Sequence, residues 1–331
     1  MCQIGKGEIV LKRILVGDIG GTNIRFAVAQ PGESSLPVLN HIWRAPANDF
    51  KEFGDALACF LDNTPNADHP SQAVFALAGP IDKNSVSLTN NSWIVRREDL
   101  ITRFGFQHLV FMNDFAAMAR SIPELPETAF RLLQKGVNNA SISPIKTLSV
   151  AGAGTGLGQA LLVGDAAKGW TVLPTEGGHQ PFSPLDSYES EIHQILRNDY
   201  GYISFELICS GSGLESVYKT ISKLQGLPLL DLKANDITQR ATQGNTAAFD
   251  TCEFLANTLM NFIGNAVLAS GSWQGAVLAG GVSRHLEPYL SAPSAIERFT
   301  RKGKMQSRME RVPLRLLIDS TAPLIGAASS S

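Results

Sequence analysis

ILVGDIGGTNIRFAVA (Ile14–Ala29) decides the fold. An apolar run over Ile9 to Gly17 that ends in Gly-Asp reads as a strand, Asp18 to Asn23 as a turn, and Ile24 to Ala29 as the returning strand. The theme returns at LSVAGAGTGLGQALLV (Leu148–Val163), with a strand over Thr147–Ala151, a turn over Gly152–Gly158 and a strand over Gln159–Val163. The two stretches open the two halves of the chain. Glycine hairpins are common, so the pattern is weak by itself. Its recurrence predicts two related α/β domains, each begun by a β-hairpin.

Working outward, Val38–Arg44 reads as a third strand. Phe50, Phe53, Leu57, Phe60 and Leu61 recur at helical spacing, which predicts a helix over Asp49–Leu61 with Asp49 as its N-cap. Ala73–Ala78 and Leu109–Met112 are short buried strands, the second leading through Asn113-Asp114 into a helix that reaches Ile122. Ser121–Pro144 is a polar connector with Pro123, Pro126 and Pro144. Helices follow at Tyr188–Asn198, Gly213–Lys223 and Thr246–Ser270, strands at Gly275–Ala279 and Val312–Ile318, and a closing helix at Ala322–Ala328. The domain transition is placed near Asn113, so residues 1–113 with 319–331 form a smaller domain and 114–318 a larger one.

The 331 residues suit about two domains. A hydrophobic share of 44% with 18% charged residues is that of an ordinary globular chain. The formal net charge of −2, with no polybasic block, argues against a general nucleic-acid binder. Cys2, Cys59, Cys209 and Cys252 are too far apart for a CxxC zinc site or a local disulfide framework, and reduced cytosolic thiols are the expectation. No apolar h-region follows the charged stretch Lys6, Glu8, Lys12, Arg13, so no secretory signal is expected. The uncharged stretch Thr147–Gly164 is broken by glycines. In Phe254–Ser283, Asn257, Asn261 and Asn265 fall on one helix face and Leu255, Leu259, Phe262, Ile263, Ala266 and Val267 on another. That is a buried helix followed by a strand, and no membrane span is expected.

Several familiar signatures are missing. The chain has no GxxxxGK[ST], HExxH or GxSxG, and GAGTGLG fails GxGxxG because Leu157 and Gln159 stand where glycine is required. Other residues do carry chemistry. Gly20 and Gly21 let backbone N–H groups approach an anion, Thr22 and Asn23 add side-chain hydrogen bonds, Arg25 adds positive charge, and Asp18 can hold magnesium through water. The rival reading is a tight hairpin with left-handed glycines. Thr155 can donate to a phosphate oxygen, and two phosphate-gripping hairpins explain both stretches together. Asp114, after a buried strand, can accept a proton from a substrate hydroxyl, while Asn113-Asp114 also suits a helix N-cap. Glu176, His179 and Glu206 can bind sugar hydroxyls. A metal site at Glu176 and His179 lacks an evident third ligand, and Glu206 can instead favour the positive end of its own helix. Gly280-Gly281 makes either a slot for a flat purine or a strand-to-helix turn.

Taken in order, LVGDIGGTNIR (15–25), TNNSW (89–93), NDF (113–115), GAGTGLG (152–158), EGGH (176–179), SFELICSGSGL (204–214) and LAGGV (278–282) resemble the bacterial glucokinase family of the sugar kinase, actin and chaperone ATPase superfamily. The branch is the one without the cysteine-rich zinc motif of ROK proteins, since no cysteine cluster follows His179. The resemblance implies an α/β fold of two actin-like ATPase (ribonuclease H-like) domains with a cleft between them. It implies a first phosphate loop of Gly17, Asp18, Ile19, Gly20, Gly21, Thr22 and Asn23, with Asp18 near Mg2+ through water. Gly154, Thr155 and Gly156 become the second phosphate loop, and Gly280 and Gly281 the adenosine-contacting turn. Asp114 becomes the general base that takes the proton of the glucose 6-hydroxyl. Asn113, Glu176, His179 and Glu206 join Asp114 in binding the sugar. The expected protein is a cytoplasmic homodimer that uses ATP and Mg2+, with glucose as substrate and neither nucleic acid nor membrane as partner. Alternatives are a kinase for another hexose or amino sugar, an actin- or chaperone-like ATPase, and a non-catalytic sugar-binding regulator, from which Asp114 argues away. Residues 1–10 have no assigned role.

Overall fold

A computed structural model describes residues 13–32, 36–82, 84–89, 91–137, 146–165 and 169–330. The expected strand start at Ile9, the opening residues with Cys2, Lys6, Glu8 and Lys12, Asn90 of the TNNSW motif, and Pro144 lie outside the described residues. The chain divides into two compact units, one running to Leu125 with Ser320–Ser331 added, the other Pro126–Asp319.

The first unit is built on β1 (Ile14–Ile19), β2 (Asn23–Gln30), β3 (Val38–Pro46), β4 (Gln72–Leu77), a ribbon of β5 (Ser85–Ser87) with β6 (Ile94–Arg96), and β7 (His108–Asn113). Its main sheet has the order β3-β2-β1-β4-β7. The β1–β2 and β2–β3 pairs are antiparallel, and β1–β4 and β4–β7 are parallel. Strand alternation sends Leu15, Ile19, Phe26 and Phe75 to one face, where they meet Phe53 and Phe60 of α1 (Phe53–Asp62). Ring centroids in that cluster lie 5.1 to 6.0 Å apart. Val16, Ala27 and Val74 take the other face and pack on Leu324 and Ala327 of the C-terminal helix Ala322–Ala328.

That helix also lies against α3 (Asp114–Ser121), α2 being Arg97–Phe104. A Cβ on Gly326 would stand 1.7 Å from the Ala117 carbonyl oxygen, so the two backbones are in direct contact. This packing keeps α3 in the first unit and places the transition after Leu125, beyond the expected Asn113. The helix expected from Asp49 begins at Phe53, and Asp49 ends a 3-10 turn instead. The apolar spacing overran the helix because Phe50 packs on the Trp43 ring from outside it, at 5.8 Å.

The second unit repeats the plan. Its strands are β8 (Phe130–Gln134), β9 (Lys146–Ala153), β10 (Leu157–Asp165), β11 (Gly169–Thr175), β12 (Ala276–Ala279) and β13 (Leu314–Leu317), in the order β11-β10-β9-β12-β13-β8. From the hairpin outward, the antiparallel, antiparallel, parallel, parallel pattern matches the first unit, with β8 added antiparallel at the far edge. The α/β architecture with a repeated opening hairpin is therefore as expected. Its helices include α4 (Ser187–Tyr200), α5 (Phe205–Ile208), α6 (Gly211–Leu224), α7 (Ala234–Thr242), α8 (Thr246–Ser270) and α9 (Gly281–His285). α8 starts where the Asn245 side chain accepts from Ala248 N and stops at left-handed Gly271, φ 64°. Leu255, Leu259, Phe262 and Ile263 are buried around it, as suits a helix apolar on most sides. Its asparagine face is used too: Lys302 Nζ donates to Asn265 Oδ1 at 2.8 Å. Among the described residues no helix is long and apolar enough to cross a membrane.

Candidate active site

Asp18 is the penultimate residue of β1 and pairs across the ladder with Arg25 of β2. The strand's alternation turns Gly17 to the opposite face. A Cβ on Gly17 would stand 2.8 Å from both Phe75 and Ile19, so this glycine serves the aromatic core. Ile19 is fully buried and offers a ligand only its backbone. The Gly20 N–H donates to the Asn23 carbonyl at 2.9 Å and closes the turn. Neither Gly20 nor Gly21 has a positive φ, so left-handed backbone does not explain them. What they provide is bare backbone that an anion can approach, beside exposed Thr22 and Asn23.

Arg25 Nη1 donates to Asp18 Oδ2 at 2.9 Å and to the Ser320 carbonyl at 3.1 Å. Arg44, opposite Arg25 on β3, donates to Ser320 Oγ at 3.1 Å. Burial pushes the Asp18 carboxyl up to about 6, with the Asp114 carboxylate adding to the rise and Arg25 pulling against it. Asp18 is therefore largely ionised at neutral pH. Among the described residues no three His, Cys, Asp or Glu side chains gather to hold a metal by themselves. One ionised carboxylate beside a turn of partly exposed glycine backbone fits Mg2+, which keeps waters and shares phosphate oxygens with its nucleotide.

At the β7–α3 junction the two readings of Asn113-Asp114 separate. Asn113 Oδ1 accepts from Ala116 N at 3.0 Å and is the N-cap. Asp114 Oδ1 accepts from the adjoining Phe115 N–H at 2.8 Å, and the helix, already capped by Asn113, does not need Asp114 as a cap. Burial holds its carboxyl above the ordinary range, against the pull of that backbone bond. Just past β4, Thr89 N donates to the Ala78 carbonyl at 2.9 Å, and Trp93 is buried.

In the second unit the Gly154-Thr155-Gly156 turn is closed by Gly154 N–H donating to the Gly156 carbonyl at 2.8 Å. Thr155 is exposed at its tip. The Gly154 carbonyl accepts from Gly211 N at 2.9 Å, where Ser210 caps α6. Glu206 is not the cap of α5, which is Ser204. Instead Glu206 Oε2 accepts from Leu157 N at 2.8 Å, just beyond the glycine turn. Its Oε1 lies 3.8 Å from His179 Nδ1, and His179 Nε2 lies 3.8 Å from Glu176 Oε2. These separations exceed hydrogen-bond length, so the three side chains are neighbours that do not hydrogen-bond one another here. Glu176 is 92% exposed and His179 60%, so both are open to a ligand.

The loop beneath them is fixed. Tyr202 Oη donates to the His179 carbonyl at 2.7 Å. A Cβ on Gly177 would stand 1.6 Å from Gln159 Oε1, and one on Gly178 2.2 Å from the Leu157 carbonyl, so both glycines of EGGH lie flat on β10. Gly280 has φ 93° and its absent Cβ would meet the Ala153 carbonyl at 2.3 Å, which makes it the turn glycine at the start of α9. Gly281 has nothing closer than Arg284 Nη2 at 4.0 Å and leaves open space.

Asp18 and Asp114 are thus brought together in the first unit, and Glu176, His179, Glu206 and the 154–156 turn in the second. Sequence reasoning missed Ser320, Arg44, Tyr202 and the Leu157 N–H. No local signal marks them, because each acts through backbone or through a partner remote in sequence.

The sequence profile of the glucokinase family matches residues 15–331. The chain is 34% identical over 318 residues to a glucokinase of Xylella fastidiosa strain M12, covering 95% of this chain and 94% of that enzyme. It is 34% identical over 331 residues to a glucokinase of Nitrobacter hamburgensis, covering 98% of each. Among solved structures, a glucokinase from an Antarctic psychrotroph superposes with a TM-score of 0.83 at 31% identity, covering 96% of this chain and 98% of that one.

Proposed function

The chain belongs to the glucokinase family, and from that premise we propose how its residues carry out ATP-dependent phosphorylation of D-glucose at the 6-hydroxyl. The products are glucose 6-phosphate and ADP, and the reaction is the entry step of glycolysis. Mg2+-bound ATP supplies a γ-phosphoryl group whose transfer needs positioning and charge neutralisation more than covalent catalysis. The partly exposed backbone of the two turns, at Gly20-Gly21 and Gly154–Gly156, is read with Thr22 and Thr155 as the phosphate contact, the Gly20 and Gly154 N–H groups themselves closing the turns. Asp18 is read as holding Mg2+ through water, and Gly280-Gly281 as contacting adenosine.

Asp114 is read as the general base. It stands at the start of α3, is not used as a cap, and has a raised pKa that brings a carboxylate closer to the operating pH. Asn113, Glu176, His179 and Glu206 are assigned the other sugar hydroxyls. The observation that carries the reading is the Glu176–His179–Glu206 group seated on the strand that leaves the second glycine turn. The homodimer and the cytoplasmic location are carried over from the family resemblance.

The test is Asp114→Asn. Glucose binding should persist while kcat falls at least ~100-fold, the scale of a general base. Unchanged turnover would remove Asp114 from the role. The parent's kcat/KM should fall on the acid side, because the base is lost as it protonates. Its raised pKa moves that limb above the usual carboxylate pH of about 4. An acid limb at or below that value would mean that a different group limits the rate.

A further inference from the structure

We propose that Gly156, a member of the nucleotide turn by its sequence, is a positioning residue for the sugar. Its missing side chain is what allows Glu206 to stand at the hydroxyl-binding position. The inference rests on the reading of Glu206 as a sugar ligand.

Two observations place Glu206 there. Its Oε2 is fastened to the Leu157 N–H at 2.8 Å, while Oε1 faces His179. A Cβ at Gly156 would stand 2.5 Å from Oε2 and 3.2 Å from the carboxyl carbon, closer than real Cβ contacts allow. Gly156 lacks a positive φ, so an alanine there meets no backbone strain. The reason for glycine is the carboxylate, and an added methyl group must push it off the Leu157 N–H. Gly154 in the same turn has nothing within 4 Å of its absent Cβ. The two glycines therefore do different work: Gly154 leaves space on the open side of the turn, and Gly156 leaves space for a carboxylate of the sugar set. Through this contact the residue that ends the phosphate turn also fixes the sugar's acidic ligand.

The experiment is glucose binding by titration calorimetry without nucleotide, on the parent, Gly156→Ala, Glu206→Asp and the double variant. Gly156→Ala should weaken glucose about tenfold or more, the scale of a lost charge-assisted hydrogen bond. Glu206→Asp should weaken it as well. In the double variant the shorter acid leaves room for the methyl group, so binding should be no weaker than in Glu206→Asp alone. A general loosening of the fold would not give that pattern. Equal affinity of parent and Gly156→Ala overturns the inference, and so do losses that simply multiply in the double variant. Should Gly156→Ala not fold, recovery of a folded, glucose-binding double variant supports the clash, and its failure to fold overturns the compensation. A parent that binds no glucose at all removes the functional reading and this inference with it.

Discussion

The two opening hairpins are both antiparallel ladders, and the rung before the last shows how they differ. In the first, the penultimate pair before the turn is Asp18 opposite Arg25; in the second it is Gly152 opposite Gly158. One hairpin carries a charge pair, held against burial and braced on Ser320. The other is stripped of side chains, and its turn receives neighbours from outside: the Gly211 N–H on the Gly154 carbonyl and the Glu206 carboxylate on the Leu157 N–H. The repeated fold sets where the backbone turns. What occupies one rung decides whether the turn does electrostatic work or seats another group.

The sharpest way to break this division is Asp18→Asn. With a charge lost at the rung assigned to Mg2+ and phosphate, kcat at saturating ATP and glucose should fall about 100-fold, the scale of removing one preorganised electrostatic contact. Glucose affinity measured without nucleotide should stay within about threefold, since the residues assigned to the sugar other than Asn113 and Asp114 belong to the second unit. A large loss of glucose affinity would show that the first hairpin shapes the sugar site. Glu176→Gln is the converse, expected to weaken glucose about tenfold while kcat changes little. An unaltered affinity would take Glu176 out of the sugar set. Thr155→Val, which removes one neutral hydroxyl from the second turn, should raise the KM for ATP only ~3- to 10-fold. A loss as large as that of Asp18→Asn would erase the contrast between the turns.

Much of this was legible in the sequence because the signals are local. The helix over Thr246–Ser270 and the closing helix Ala322–Ala328 occur as expected, one marked by a long apolar pattern, the other by a short apolar run before the chain end. The likeness of the hairpins forecast two related α/β halves, each with a hairpin, as the two sheets show. Strands β8 and β11 escaped notice because each lies at a sheet edge, where β11 has no buried residue and β8 has only Phe130, so neither shows apolar alternation. The Arg25–Ser320 contact joins residues 295 apart, and nothing near either one announces it. Glycines were the hardest to read. The letter alone does not separate a left-handed turn, as at Gly280, from room for a neighbour, as at Gly156, or from packing, as at Gly17.

Gly17 sharpens the comparison at the next rung. There Gly17 faces Phe26 in the first hairpin, while the second has Ala151 opposite Gln159. The second core thus accepts the methyl group that the first excludes. In Gly17→Ala the new Cβ would stand 2.8 Å from Ile19 and Phe75 and 3.0 Å from Phe26. All three are fully buried, so they can yield only by leaving good rotamers. Overpacking of this kind costs about 1–3 kcal/mol, a drop of several degrees in the melting temperature. Because Gly17 looks away from the phosphate turn, the folded variant should keep the parent's KM for ATP. Calorimetric melting with steady-state kinetics separates the possibilities. A lowered melting point with an unchanged KM places Gly17 in the core, whereas an unchanged melting point with a raised KM for ATP returns it to the phosphate loop.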